Sequence, residues 1–394
     1  MTDSTRILDA YESETPARDA AGDEPRAAGG GGGPSAREPL VVAGLYVASI
    51  LGALVVSAIL VVVATDGSAR DVFTALLDGS LRSPGAWGLT LTTAAPLLLV
   101  ACGSIVSTRA GLINIGQEGQ VLIGSCFAAY VAVRLGTPGW SVVVLSLLAG
   151  AVGGGAWAGV AAGLRRWRRV PEVLTTLLLT FISFPLITYG LSQSWLLADR
   201  NTERRNQLNT GEQLPSDALL PDLRVFGNDI DTGFFIALGL TLALAWMIAR
   251  TVLGVRIGML GLNPRAAQRF GVSSERLTTW ALIGAGATAG AAGGVLLTGG
   301  AAGDRLVFGF AGNFGWDGLL IALLARNRLL VAIPMAFVFA MLRTGSSFLA
   351  ATGVNRTMTD VVQALLVLAL LVPPAILFVR DRRRSLRAAA EDGV

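Results

Sequence analysis

The chain has 394 residues, of which 53% are hydrophobic and 15% charged, with a formal net charge of +4. That balance excludes an ordinary soluble domain. Histidine and lysine are both absent, so all 31 basic residues are arginine, and the commonest metal ligand and general base is missing.

Residues 1–39 are polar, mix acidic and basic groups, and end in Gly29–Gly33 followed by Pro34. This composition predicts a disordered tail rather than part of a packed domain, and it lacks the layout of a signal peptide. Leu40–Ala64 then runs without a charge, long enough to cross a bilayer with some tilt. Further spans are expected over Trp87–Val106, Ile113–Val133, Trp140–Leu164, Val173–Leu191, Phe234–Ile248, Thr278–Thr298, Val307–Ala325, Leu329–Ala350 and Met358–Val379. The fold class is therefore all-α and polytopic, with about ten transmembrane helices over residues 40–380. The spans flanking Gly111–Ser125 and the one holding Asp317 are candidates for broken or re-entrant helices.

Arginine placement sets an expected direction. Arg109, Arg165–Arg169, Arg250–Arg276, Arg326, Arg328 and the basic tail 381–394 fall on one side of the alternating spans. Asp66, Asp71, Asp78, Asp199, Glu203, Asp217, Asp222 and Asp229 fall on the other. The positive-inside rule then places both termini in the cytoplasm of a cell-membrane protein, with Gln193–Thr232 as the longest outer loop, big enough for a short helix. Glycines 155, 159 and 163, and glycines 286, 290 and 294, repeat every fourth residue, which predicts close helix packing within the subunit.

Gly111–Ser125, GLINIGQEGQVLIGS, is a polar, glycine-rich cassette in an otherwise lipid-like stretch. A carboxylate at membrane depth costs about 2.5–3.5 kcal/mol on insertion scales, so Glu118 requires a reason. Asn114, Gln117, Glu118 and Gln120, together with Glu172, Asn313, Trp316 and Asp317, are the polar and aromatic groups suited to line a solute pathway. Glu118 and Asp317 stand equally as pathway groups or as structural partners of an arginine or a helix end. For Glu172 the neighbouring Arg165, Arg166, Arg168 and Arg169 favour the structural role. Cys102 and Cys126 lie in apolar stretches without CxxC spacing and are expected as buried filler. Neither a metal-ligand cluster nor a nucleophile–base pair can be read, so no enzyme, cofactor or nucleic-acid partner is expected.

Between two spans, residues 251–277 form a loop longer than a connection needs. Asn263 suits an N-cap, Pro264 the first helical position and Gly271 the stop. Arg265, Ala266, Ala267, Gln268, Arg269 and Phe270 then make a short exposed helix for a partner's groove. The alternative is an amphipathic loop on acidic lipid headgroups.

Four segments in register, GLINIGQEGQ, VPEVLTTLLLTFIS, LGLNPRAAQRFGV and FGWDGLLIALLARN, resemble the permease subunits of ABC importers. The resemblance is to the branched-chain amino acid/simple-sugar permease superfamily, in its nucleoside and simple-sugar branch, and covers roughly residues 40–380. Thr180 stands where the family carries Asn, and Ala325 where it carries Gly. The resemblance implies a cytoplasmic ATP-binding subunit, a second permease subunit, an extracellular solute-binding protein, and Asn263–Gly271 as the coupling helix. The chain itself has no P-loop and no lysine to complete one. On this resemblance the solute is a nucleoside, with a simple sugar as the alternative. A stand-alone ion-coupled carrier using Glu118 or Asp317 is the rival class.

Overall fold

The computed structural model describes residues 76–134, 139–199, 210–225, 227–300 and 303–351, with scattered positions on either side of that stretch. The continuous segments all belong to the compact unit Leu45–Val394. The spans expected over Leu40–Ala64 and Met358–Val379, and both tails, lie outside the continuously described residues.

The described chain is built on α1 (Ala86–Arg109), an apolar helix with no polar face. A helix apolar all round belongs in a core, and Leu97 through Cys102 are each at most 1% exposed. Around it pack α5 (Thr232–Arg250), α8 (Ser274–Thr298), α9 (Phe314–Leu324) and α10 (Leu329–Ala351), while α2 (Gln117–Arg134) packs on α8 and α9. An outer layer is formed by α3 (Trp140–Arg168) against α2 and α8, and by α4 (Glu172–Ser192) against α2 and α3. Large apolar side chains such as Leu148, Val152, Phe181, Leu242 and Trp246 point outward from α3, α4 and α5, as a bilayer solvent requires. Six of the helices, α1, α3, α4, α5, α8 and α10, are long and apolar enough to cross a membrane.

Two expected spans start later than the sequence suggests. The one over Ile113–Val133 starts at Gln117, after a non-helical approach. The one over Val307–Ala325 is helical only from Phe314, because Gly309, Gly312 and Asn313 hold left-handed backbone at φ 76°, 46° and 71° and prevent an earlier start. At 1.5 Å per residue α9 is about 16 Å long, half the hydrocarbon thickness. Both helices therefore begin inside the bundle.

The long loop is not purely helical. Among its described residues are a 3₁₀ turn (Ser216–Ala218) and an antiparallel hairpin, β1 (Asp222–Val225) with β2 (Asn228–Asp231), turned at Gly227 with φ 80°. Gly88 of α1 admits the backbone of Asp229, which seats the hairpin on the start of that helix. The small-residue stripe of α8 packs as expected, but its counterpart on α3 is shifted by one residue. Gly150, Gly154 and Ala158, rather than Gly155, Gly159 and Gly163, meet Gly286 and Gly290, and Gly124 of α2 meets Gly290 as well. A Cβ on Gly290 would lie 2.8 Å from the Cα of Gly154, so glycine is what lets the three backbones converge.

Charge separates along the bundle. At the hairpin end Arg82, Arg134, Arg224 and Arg305 each pair with a carboxylate, Asp78, Glu212, Asp229 and Asp304 respectively. At the opposite end lie Arg109, Arg165–Arg169, Arg250–Arg276, Arg326 and Arg328. Of these, among the described residues, Arg165 is the one with an acidic partner, Glu172 at 3.1 Å.

Candidate functional site

The cassette enters the bundle between α1 and α4. Asn114 closes a local turn by accepting from the Gly116 N–H at 3.0 Å, and it exchanges amide hydrogen bonds with Gln120 at 2.9 and 3.1 Å. Gln117 donates to Ser104 Oγ of α1 at 3.0 Å, while its own buried Oε1 has no hydrogen-bond partner among the described residues. All four cassette side chains, Asn114, Gln117, Glu118 and Gln120, are at most 3% exposed. Gly116 and Gly119 allow α4 to lie against them. A Cβ on either would come within 2.9 Å of Thr176 or Thr180. Thr180, in the position where Asn was expected, thus packs on the cassette, with its hydroxyl donating to Thr176 O of its own helix at 3.2 Å.

Glu118 sits where two helix starts meet. Its Oε1 accepts from the Asn313 N–H at 2.9 Å and its Oε2 from the Gly315 N–H at 2.7 Å, so one carboxylate spans the first turn of α9. A helix start leaves such donors unsatisfied and carries about +0.5 of a charge, which explains how a carboxylate resides there. The approach requires Gly315, since a Cβ there would fall on the backbone of Glu118. One turn on, Asp317 accepts from Arg343 Nη1 of α10 at 2.8 Å. Arg343 also donates to Gly312 O and lies 3.8 Å over the Phe314 ring, so its guanidinium grips the same helix start by charge, backbone and aromatic face.

The structure thus joins Glu118, the Asn313 backbone and Asp317 in one cluster through Arg343, and places the Asn114–Gln120 pair and Gln117 beside it on the cassette. Trp316 is half-buried on the same turn, and Asn313 is exposed at its edge. Glu172 is elsewhere, at the arginine-rich end with Arg165. Sequence reasoning missed Arg343. Its signal is a single charge within the apolar run 329–351. Ser104 and Thr176 carry no comparable signal, since small hydroxyls in apolar helices usually bond their own backbone.

The second feature is α7 (Pro264–Arg269). Asn263 Oδ1 accepts from the N–H groups of Arg265 and Ala266, both at 3.1 Å, Pro264 takes the first position, and Gly271 at φ 77° ends the turn. Ala267 is buried, whereas Arg265, Arg269 and Phe270 are exposed, Phe270 to 75%. It follows α6 (Val252–Leu262), whose Gly261 admits the backbone of Arg109 and Gly111. Beside α7 opens a cleft of about 430 Å³ walled by Arg165, Arg166, Arg169, Glu172, Pro264 and Glu275.

Among the described residues no group of three metal-ligating side chains exists, and both cysteines are free thiols. Residues 88–371 match the family described as the permease component of the branched-chain amino acid transport system. The chain is 32% identical to a glucose ABC transporter permease of Haloferax volcanii, covering 83% of this chain and 87% of that one. It is 28% identical to a nucleoside ABC transporter permease of Lactococcus lactis (81% and 87%) and 26% identical to a guanosine ABC transporter permease of Bacillus subtilis (86% and 95%). From each of these three organisms a second permease with the same substrate in its name also matches, over a smaller share of this chain. A bundle with apolar outer faces, helices that start at mid-depth and no ATP-binding motif is thereby placed in this family: the chain is a membrane-spanning permease subunit of an ABC importer, and ATP hydrolysis resides on a separate subunit.

Proposed function

We propose that the abutting starts of α2 and α9 form the gate of the translocation pathway, and that the solute is a nucleoside. The observation that carries the gate is the Glu118 carboxylate holding the first turn of α9 at mid-depth. Helix starts that meet inside a bundle present polar backbone to a passing solute, and a few hydrogen bonds are all that keep them closed. Asn114, Gln117, Gln120, Asn313 and Trp316 supply amides and a flat aromatic face for ribose hydroxyls and a base. Asp317 and Arg343 set the position of α9. Glu172 braces the arginine-rich end. The nucleoside reading is supported by relatives named for nucleosides and guanosine; the relative named for glucose supports a simple sugar as the second reading.

In this reading the arginine-rich end faces the cytoplasm. Asn263, Pro264, Arg265, Ala266, Ala267, Arg269, Phe270 and Gly271 form the coupling helix that seats in the ATPase, and the hairpin end receives the solute-binding protein. The paired permeases seen in three organisms support a related, rather than identical, second permease. Uptake of labelled guanosine and glucose by cells expressing the whole system tests the proposal. Glu118→Gln and Asp317→Asn should each lower guanosine uptake at least about tenfold at normal membrane abundance, the equivalent of about 1.4 kcal/mol. Unchanged uptake in both variants would remove these residues from the pathway, and glucose-only uptake would transfer the substrate to the sugar reading.

A further inference from the structure

An apolar groove of about 200 Å³ runs between α1, α5, α6 and α8, and shares no lining residue with the cleft beside α7. Val106, Met247, Leu253, Leu277, Trp280 and Gly284 line it, and Thr288, its one hydroxyl-bearing residue, donates to Ala285 O of its own helix at 2.9 Å. The groove therefore asks nothing polar of an occupant. Along α8 its lining extends from Leu277 to Thr288, about 16 Å at 1.5 Å per residue, which is the depth of one leaflet.

Its lining reaches the arginine-rich end through Met247, Leu253 and Leu277. Arg276 precedes Leu277, Arg256 precedes Ile257, and Arg250 follows Met247 by one turn; all three are exposed and none has an acidic partner among the described residues. The chain holds no Asp or Glu between Asp231 and Glu275. Glu275 itself lines the other cleft, with Arg165 and Arg166. Trp280, 68% exposed, stands one turn inside Arg276, at the depth where interfacial indoles are favoured. We propose that this groove binds one anionic phospholipid, with an acyl chain against Leu253, Trp280 and Gly284 and the phosphate among Arg250, Arg256 and Arg276. Charge complementarity selects this occupant over a zwitterionic lipid or an apolar helix, because three exposed guanidinium groups without acidic partners among the described residues each stand within three residues of a lining residue at one end of an apolar slot one leaflet deep. The site rests on the cytoplasmic assignment of the arginine-rich end and is independent of the solute.

The test uses the intact transporter in nanodiscs of mixed phosphatidylcholine and phosphatidylglycerol. One or the other lipid carries a photoactivatable acyl chain, and labelled peptides are located by mass spectrometry. The phosphatidylglycerol probe should label peptides containing Met247–Leu253 and Leu277–Gly284 several-fold more than the phosphatidylcholine probe. A Cβ on Gly284 meets no atom within 4 Å, so Gly284→Leu fills the slot without forcing the fold and should abolish that labelling. The triple variant Arg250→Gln/Arg256→Gln/Arg276→Gln should reduce the phosphatidylglycerol label to the phosphatidylcholine level. Equal labelling by the two probes, labelling unchanged by Gly284→Leu, or cross-links from these peptides to another subunit would each overturn the site. Uptake is not the readout, so failure here is distinct from failure of the gate.

Discussion

Asp317 and Arg343 face each other at 2.8 Å with side chains 11% and 19% exposed, so the pair is mostly buried. Breaking such a pair leaves an uncompensated buried charge, worth about 3–5 kcal/mol. Asp317→Asn should therefore lower the thermal unfolding midpoint in detergent, and Arg343→Gln added to it should restore part of the loss. If the double variant is as unstable as the sum of the singles, the pair is not what positions α9. Asp231 is a different kind of carboxylate. It caps α5 outside the span by accepting from the Gly233 N–H, is 1% exposed, and has an Oδ2 with no hydrogen-bond partner among the described residues. Burial, helped by nearby Asp222, pushes its carboxyl up to about 6 from 3.8, against the opposing Gly233 hydrogen bond. The folded state then holds the proton more tightly than the unfolded chain. Its contribution is thus greatest below about pH 4 and is lost as pH rises through 6, a change of up to about 3 kcal/mol. Unfolding midpoints measured from pH 4 to 7 should show this fall, and Asp231→Asn, which keeps a good cap, should remove that component.

At the scale of elements, what the sequence exposes is the pattern each helix carries by itself. The α7 cap, its proline and its glycine stop are local chemistry, so Asn263, Pro264 and Gly271 could be assigned before any fold was known. Asn263→Ala removes two backbone hydrogen bonds and should cost about 1 kcal/mol of local order, visible as faster amide exchange in residues 264–270. Arg265→Ala and Phe270→Ala should leave the permease folded but lower ATPase stimulation by substrate. The spans are legible for the same reason, since their apolar length is a local property. The start of α9 is less legible, because Asn313, a non-glycine residue, holds left-handed backbone where its N–H meets Glu118, a contact between distant parts of the chain. The one-residue error on α3 has a similar origin. Gly150, Gly153, Gly154 and Gly155 offer overlapping stripes, and only the partner Gly290 selects Gly150/Gly154. Gly290→Leu should be destabilising by about 1–3 kcal/mol or more, whereas Gly159→Ala, whose added Cβ meets only the Ile283 side chain at 3.7 Å, should be nearly neutral.

At the scale of the molecule, the described helices form an apolar core around α1 with two polar features. One, at mid-depth, is held by a few hydrogen bonds to a helix start; the other, α7, projects from the arginine-rich end with its aromatic tip exposed. That arrangement suits a machine in which force delivered at one end separates contacts halfway along. The solute is the least legible property, because backbone N–H groups and amides, which make up the proposed gate, discriminate little between a ribose and a hexose. At the hairpin end, arginines 134, 224 and 305 are neutralised by carboxylates, in contrast to the positive charge that marks the other end. ATP-driven import through a multi-subunit complex is checked most simply by tagging this chain in its native host, extracting it gently, and identifying what accompanies it while measuring uptake with and without ATP. A separate ATPase and a related permease should copurify, and uptake should stop when ATP is depleted. Recovery of this chain alone, with uptake that survives ATP depletion and collapses with the ion gradient, would contradict the importer assignment.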